Sequence, residues 1–370
     1  MRKLKVAIIF GGKSAEHEVS LQSARNVFDA LDRSKYEPVP IGIDKAGRWL
    51  LGDGSRFLLD ADDPARIALA ASSDEVTFAP ESGGRLSQVA GRGEAPAGAA
   101  FAGGAVDVAF PILHGPLGED ATVQGFLRLA GIPFVGAGVL GSAVGMDKDV
   151  MKRLLRDAGL PVADFLVLRA GEPRPGWDGV VDRLGPVVFV KPANMGSSVG
   201  VSKVRSAAEW TAALDEAFRW DRKILVEEFV EGRELECAVL GDEAPEASVV
   251  GEIRANADFY SYEAKYLDEN GAALDIPAKL PEDLALRARE LAVRTFRVLE
   301  CEALARVDMF LRSDGGLVVN EINTMPGFTR ISMYPKLWEA SGLPYPELVD
   351  RLIALALGRA ERERALRTSR

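Results

Sequence analysis

Two segments near the C-terminal end of the chain place hydrophilic side chains where a buried strand pair should be apolar. The first reads Ala305-Arg306-Val307-Asp308-Met309-Phe310-Leu311 and the second Leu317-Val318-Val319-Asn320-Glu321-Ile322-Asn323, with a turn at Ser313-Asp314-Gly315-Gly316 between them. Side chains two apart on a strand share a face, so Arg306 falls beside Asp308 and Glu321 beside Asn323. Where the two polar faces coincide, two carboxylates and an amide converge next to a guanidinium. Hard oxygen donors of this kind suit Mg²⁺, which is held by one or two carboxylates together with phosphate oxygens. The guanidinium is placed to meet developing negative charge. The alternative, a half-exposed hairpin with solvated ions, sits poorly with the apolar flanking residues.

Other loops carry compatible chemistry. Lys191-Pro192-Ala193-Asn194-Met195-Gly196-Ser197-Ser198-Val199-Gly200 leaves a predicted strand. Its small residues let backbone N–H groups approach an anion, and Lys191 adds a point charge for phosphate or a ring nitrogen. Glu227-Glu228-Phe229-Val230-Glu231-Gly232-Arg233-Glu234 stands at another strand end. It could serve the edge of a base and a ribose, or be a solvated acidic turn. Phe259 to Tyr266 is aromatic and charged without clean periodicity, which suits a long ordered loop acting as a lid or a surface loop with aromatic anchors. Glu16 and His17 follow the first predicted strand, at the end where ligands bind in open α/β sheets; Glu16 could equally favour a helix dipole. His114-Gly115 opens a similar loop, where a lone His is more often structural, and Glu119-Asp120 could simply favour a helix start. Gly12-Lys13-Ser14 is not a P-loop, because Ala7 stands where that motif needs glycine, and no GxGxxG follows the strand.

These loops need elements to hold them. Val6–Phe10 and Val39–Ile43 read as buried strands around a helix from about Ser20 to Leu31. Val106–Pro111 is another strand, followed by a helix at Thr122–Ala130 and a short strand near Pro133–Val135. Residues 60 to 105 are rich in Ala, Gly, Ser and Pro, and part of that stretch reads as a mobile or variable insertion. A helix at Lys148–Ala158, strands at Val187–Lys191, Ile224–Phe229 and Glu234–Leu240, the hairpin, and a charged amphipathic helix complete the chain. There is no internal repeat.

Composition narrows the function classes. A chain of 370 residues with 47% hydrophobic content builds two or three domains with full cores. The net charge of −10 disfavours nucleic acid or an anionic membrane as the main partner. No apolar run of about 18 residues exists for a transmembrane helix. Cys237 and Cys301 form no CxxC pair, and His17 and His114 alone make a histidine zinc site improbable. A soluble cytoplasmic protein is expected.

In their order and spacing these segments resemble the D-alanine–D-alanine ligase family of the ATP-grasp superfamily. The resemblance is carried by Gly11 to Ser20, His114-Gly115 with Gly118-Glu119-Asp120, Met146-Asp147-Lys148, Lys191-Pro192 with Gly196-Ser197-Ser198-Val199-Gly200, Tyr262-Glu263-Ala264-Lys265-Tyr266, and Arg306-Val307-Asp308 with Glu321 to Gly327. It covers nearly the whole chain. It implies an α/β and α+β fold, a three-domain ATP-grasp architecture with an N-terminal α/β domain over residues 1–140, a central small domain over 141–220 and a C-terminal domain with lid and metal site over 221–370. It implies that ATP phosphorylates one D-alanine, that the amine of a second attacks the acyl phosphate, and that the dipeptide serves peptidoglycan synthesis.

The same resemblance assigns roles. Asp308, Glu321 and Asn323 would hold two Mg²⁺ or Mn²⁺ ions. Lys148, Lys191, Ser198, Glu227, Glu228, Val230, Glu234 and the lid's Lys265 would bind the nucleotide, with the contact at Glu228 made by its backbone. Arg306 and the N–H of Gly327 would form the oxyanion site. Glu16 would hold the first D-alanine's ammonium with His114 nearby, and Ser332 and Met333 would receive the second's carboxylate. Ser197, Tyr266 and Glu16 would latch the lid, excluding water. Tyr266 matches the dipeptide-forming branch, so D-alanine is the expected second substrate. A homodimer is implied through the family alone. Competing readings are a ligase for a different amino acid and a nucleotide-binding module without turnover; a nicotinamide-dependent dehydrogenase is disfavoured by the missing glycine fingerprint.

Overall fold

The computed structural model describes residues 2–54, 56–61, 63, 66–70, 74–89, 104–255 and 272–367. The expected lid, with Lys265 and Tyr266, lies outside the described residues. Three main sheets organise the rest.

The first sheet is built on the apolar runs at the start of the chain. Leu4–Gly11 pairs in parallel with Tyr36–Ile43 on one side and Val108–Ile112 on the other, and Trp49–Leu51 adds an antiparallel edge. Val6 to Phe10 are fully buried on both faces, as continuous apolar strands of a parallel sheet must be. The helix His17–Ala30 packs on this sheet and starts three residues earlier than the sequence reading, because the left-handed Gly11 and Gly12 turn the chain directly after the strand. Ser20 on its first turn accepts from Gly11 N and donates to Ile112 O, so one hydroxyl ties together the ends of two neighbouring strands. The loops that follow, 12–16 and 113–121, therefore leave the same edge of the sheet.

The Ala/Gly-rich stretch differs in part from its expected role as an insertion. Leu58–Leu59 pairs with Ala68–Leu69 and Val76–Phe78 with Leu86–Gln88. Ile67, Val76, Phe78 and Leu86 are buried, and neighbouring Phe57 stacks on Phe10 and Phe28 with centroids 5.0 Å apart. Sparse apolar residues among small ones obscured this cap; residues 71–73 and 90–103 lie outside the described residues.

The second sheet, in the order Ser202–Val204, Val188–Pro192, Lys223–Glu228, Phe165–Arg169, is antiparallel. Helices Trp177–Leu184 and Ala207–Trp220 cover one face through Val180, Leu184, Trp210, Leu214 and Ala217. Its third strand, Lys223–Glu228, lies beyond the expected boundary at residue 220, so the sheet's natural limit is Glu228.

The third sheet runs Ala272–Asp275, Glu246–Ala255, Arg233–Gly241, Ala303–Leu311, Leu317–Asn323. Helix Glu282–Val298 buries Ala288, Leu291 and Phe296 against Cys237, Val307 and Met309 on one face. On the other, helices Met333–Ala340 and Tyr345–Arg364 join a core that continues from Tyr334 and Leu352 through Phe328 to Val6, Ile8 and Phe10 of the first sheet. The first and third sheets thus share one core, and the second stands across a cleft from the third.

Candidate active site

The C-terminal hairpin brings its polar residues to one face. Arg306 is opposite Asn323 and Asp308 opposite Glu321, while Val307, Met309, Val319 and Ile322 point into the core behind. Arg306 grips Asp308 with two parallel bonds, Nε to Oδ1 and Nη2 to Oδ2, both 2.7 Å, and Asn323 Nδ2 donates to Asp308 Oδ2 at 2.9 Å. On the adjacent strand Glu236 stands opposite Asp308 and pairs with Arg306 at 2.9 Å. The register shifts after Asp308, where Asn320 is the extra residue of a β-bulge, and as a result consecutive residues Asn320 and Glu321 both reach the same cleft. Strict alternation would put Asn320 on the opposite face from Glu321, so its place was not legible.

Asp308, Glu321 and Asn323 offer hard oxygen donors from neighbouring strands, a set that fits Mg²⁺ or Mn²⁺. Among the described residues no group of three or more His, Cys, Asp or Glu side chains that could hold a metal ion occurs; the third donor in this set is an amide. Glu321 lies 3.3 Å from Lys148 Nζ.

Lysines line the cleft between the second and third sheets. Lys148 opens the helix Lys148–Asp157, capped by Asp147 through Val150 N, and donates to Met195 O at 2.8 Å. Lys191, at the end of its strand, pairs with Glu227 across the sheet. The cleft encloses about 400 Å³ and is lined by these residues with Phe189, Ser198, Glu228, Phe229, Val230, Glu234 and Phe310. Glu228, also on the cleft wall, accepts through its Oε1 from Arg312 Nη2 at 3.0 Å and Asp164 N at 3.2 Å. The loop after Lys191 holds Ser197 and Ser198 at φ of 50° and 60°, left-handed conformations that non-glycine residues adopt at a cost and that gather at functional sites.

A second cavity lies at the other end of the hairpin. It is lined by Glu16, His114, Glu119, Gly196, Ser197, Glu236, Arg306, Glu321, Asn323, Gly327, Ser332 and Met333, among others. Glu16 occupies the N-cap position of its helix but its side chain makes no capping bond; instead its Oε1 accepts from Ser197 Oγ of the left-handed loop. His17 turns Nδ1 to Gly12 O and is structural. His114 is buried, with Nδ1 3.0 Å from Met325 O and Nε2 3.2 Å from Ser23 Oγ. A carbonyl can only accept, so Nδ1 carries the proton. Burial lowers the imidazole to about 4, against a weaker opposing pull from the Met325 carbonyl, and it is neutral at pH 7.

Glu119 departs from its expected place at a helix start. Asp120 does that work, accepting from Thr122 N at 3.0 Å, whereas Glu119 turns into the cavity and accepts from Gly115 N at 2.8 Å. Burial, reinforced by the nearby Glu16 charge, raises its carboxyl to about 8. At the opposite wall, Ser332 precedes helix Met333–Ala340 but spends its hydroxyl on Thr329, 3.0 Å from its N and 2.8 Å from its Oγ1, leaving the helix N-terminus without a side-chain cap. A methyl group added at Gly327 would stand 2.7 Å from Ser332 Oγ.

The structure thus brings together Glu16, His114, Ser197, Arg306, Gly327, Ser332 and Met333 around one cavity, and Lys148, Lys191, Ser198, Glu227, Glu228, Val230 and Glu234 around the other. Sequence reasoning missed Glu236 and Asn320 and read Glu119 as a helix-start carboxylate. Glu236 had a signal, since it shares a face with Glu234 two residues earlier.

An α/β sheet followed by two antiparallel sheets facing each other across a lysine-lined cleft is the ATP-grasp fold. Family models confirm the lineage: the D-ala D-ala ligase N-terminus matches residues 5–137 and the D-ala D-ala ligase C-terminus residues 154–354. A D-alanine–D-alanine ligase A of Chromobacterium violaceum is 55% identical, covering 100% of this chain and 99% of its own. Among solved structures, the D-alanine-D-alanine ligase from Coxiella burnetii has a TM-score of 0.83 at 38% identity, covering 98% of this chain and 97% of its own. The VanG D-Ala:D-Ser ligase from Enterococcus faecalis has a TM-score of 0.82 at 35% identity, covering 96% of this chain and 100% of its own. The chain belongs to the D-alanine–D-alanine ligase family.

Proposed function

We propose that the protein joins two D-alanines to D-alanyl-D-alanine, converting ATP to ADP and phosphate, in the supply of peptidoglycan precursors. One observation carries this reading: the amino-acid-sized cavity and the lysine-lined cleft share Gly196, Ser197 and Glu321 in their walls. A nucleotide in the cleft and a carboxylate substrate in the cavity would meet there, which is what phosphoryl transfer between them requires.

In this mechanism the chain's residues divide the work. The backbone at Glu227, Glu228 and Val230 and the carboxylate of Glu234 border the base and ribose, and Lys148, Lys191 and Ser198 face the phosphates. Asp308, Glu321 and Asn323 would hold Mg²⁺ or Mn²⁺, two ions by family analogy, which neutralise phosphate charge when bound. Glu16 receives the first D-alanine's ammonium, oriented by Ser197 and flanked by neutral His114. Phosphorylation of that substrate's carboxylate gives an acyl phosphate. The second D-alanine enters with its carboxylate at Ser332 and Met333, where the uncapped helix N-terminus favours an anion. As its amine attacks, negative charge grows on the carbonyl oxygen beside Arg306 and the Gly327 N–H. Collapse of the tetrahedral species forms the peptide bond and expels phosphate. By family analogy Lys265 would serve the nucleotide and Tyr266 the lid; both lie outside the described residues.

Incubation with ATP, Mg²⁺ and D-alanine, followed by mass analysis, tests the proposal. The expected products are D-alanyl-D-alanine, ADP and phosphate, with L-alanine inert and D-serine or D-lactate slower. Phosphate release without a dipeptide, or a preference for another amino acid, overturns it. A cytoplasmic location and a homodimer complete the reading. Among the described residues no helix is long and apolar enough to cross a membrane.

A further inference from the structure

Lys152 has no part in the mechanism above, yet its side chain is fully enclosed. It lies one helical turn after Lys148 on the inward side of helix Lys148–Asp157. Its ammonium meets one carboxylate oxygen of Glu227, and the other oxygen of that carboxylate meets Lys191. Lys191 and Glu227 face the cleft; Lys152 stands behind them. A lysine without water is expensive to keep, and enclosed ion pairs are weak contributors to stability compared with apolar packing. This one has a different consequence. A lone Glu227 would cancel the charge of Lys191 and draw its ammonium out of the cleft. Burial pulls the Lys152 ammonium down from its ordinary value and the Glu227 charge opposes that; with Lys152 on the far oxygen, the carboxylate is shared between two lysines and does not neutralise Lys191 alone. Burial alone would raise the Glu227 carboxyl, but the two lysines hold it below the usual carboxylate range, so the group between them is charged.

We propose that Lys152 is a positioning residue for nucleotide binding: by occupying one oxygen of Glu227 it leaves Lys191 directed and incompletely neutralised toward the nucleotide. The inference rests on the reading of this cleft as the nucleotide site. A purely structural triad would affect stability, and through it every substrate alike; a charge-balancing one affects the nucleotide selectively.

The test compares Lys152→Met, an apolar side chain of similar length, with the double variant Lys152→Met/Glu227→Gln, reading ADP affinity by direct binding alongside steady-state kinetics and melting temperature. Wild-type turnover is measured first. ADP binding without dipeptide formation rejects the ligase reading and leaves the present inference intact, because the binding assay reads it independently. For Lys152→Met the expected result is an ADP Kd and ATP KM raised at least tenfold, with the D-alanine KM within twofold of wild type. Removing the carboxylate as well should restore the ADP Kd to within threefold, since Lys191 then keeps its full charge. The proposal is overturned by an ADP Kd within twofold of wild type in folded Lys152→Met, by nucleotide and D-alanine constants rising together, or by a folded double variant that still binds ADP tenfold more weakly. If Lys152→Met does not fold, the double variant, in which Lys191 at the cleft wall is the one ion of the set left, decides: ADP binding within threefold of wild type with the D-alanine KM unchanged supports the proposal, and tenfold weaker binding overturns it.

Discussion

Arg306 illustrates how one side chain can serve both fold and chemistry. Its guanidinium is fixed by Asp308 and Glu236 and borders the cavity where oxyanion charge would grow. Arg306→Ala should lower kcat about 10²–10³-fold, near 3–4 kcal/mol of transition-state stabilisation, with ADP affinity changed only a few fold. Stopped-assay kinetics with a parallel melting curve check this, and a near-normal kcat removes Arg306 from the reaction. Glu119 gives a pH prediction. Its folded-state value near 8 lies far above the ordinary 4.5, so the native protein binds a proton that the unfolded chain has already released, and stability is lost as pH rises toward 8. His114 works in a different window: lowered to about 4, it costs stability only as pH falls below 6.5. Between pH 6.5 and 8 the Glu119 slope stands apart from it, and wild type should lose ~2 kcal/mol there. Denaturant titrations of Glu119→Gln should show that slope flattened; an unchanged slope refutes the assignment. Neither residue's environment was legible locally, because what raises Glu119 is enclosure by distant segments and the Glu16 charge from another loop.

At the scale of elements, the sequence was most readable where a period was short and unbroken. The hairpin's alternation placed Arg306 beside Asp308 and Glu321 beside Asn323, and the first parallel strands announced themselves as apolar runs. It was least readable where pairing is non-local. Nothing near Glu236 says that its strand lies between Glu246–Ala255 and Ala303–Leu311, and nothing near Lys152 says that its helix backs onto Glu227. The terminal helix Tyr345–Arg364 shows a signal overlooked in its charged face. Arg359 falls on the stripe of Leu348, Leu352 and Ala356, all buried. There it donates to Gly136 O at 2.8 Å and Phe134 O at 2.7 Å and covers the Phe134 ring, stapling the end of the first sheet's region to the C-terminal helix. Arg359→Met should cost about 2–4 kcal/mol by stranding two buried carbonyls, measured by equilibrium denaturation, while kcat at low temperature stays within twofold. A loss below 0.5 kcal/mol would mean that water replaces the guanidinium at no penalty.

Across the whole molecule, the site exists only where three sheets approach one another. Glu16 comes from the edge of the first sheet, Ser197 from a loop of the second, and Arg306 with Glu321 from the third. The bond between Ser197 and Glu16 spans 181 positions of sequence, and both residues border the cavity that adjoins the nucleotide cleft. In the proposed reading a nucleotide that fixed the loop at Gly196 to Ser198 would also fix the partner of Glu16, and part of the cost of ordering the amino-acid cavity would be met before D-alanine arrives. Binding free energies so linked are reciprocal. ADP should bind about fivefold or more tightly in the presence of saturating D-alanine, and D-alanine should gain the same factor from ADP. Calorimetric titrations of each ligand, with and without the other, measure both directions. Ser197→Ala, which deletes the hydroxyl but leaves the left-handed backbone and its neighbours in place, should reduce the factor below twofold while changing the ADP affinity of the otherwise empty protein little. Full coupling in that variant would mean that the two cavities communicate through Glu321 and Gly196 instead, the other residues that border both.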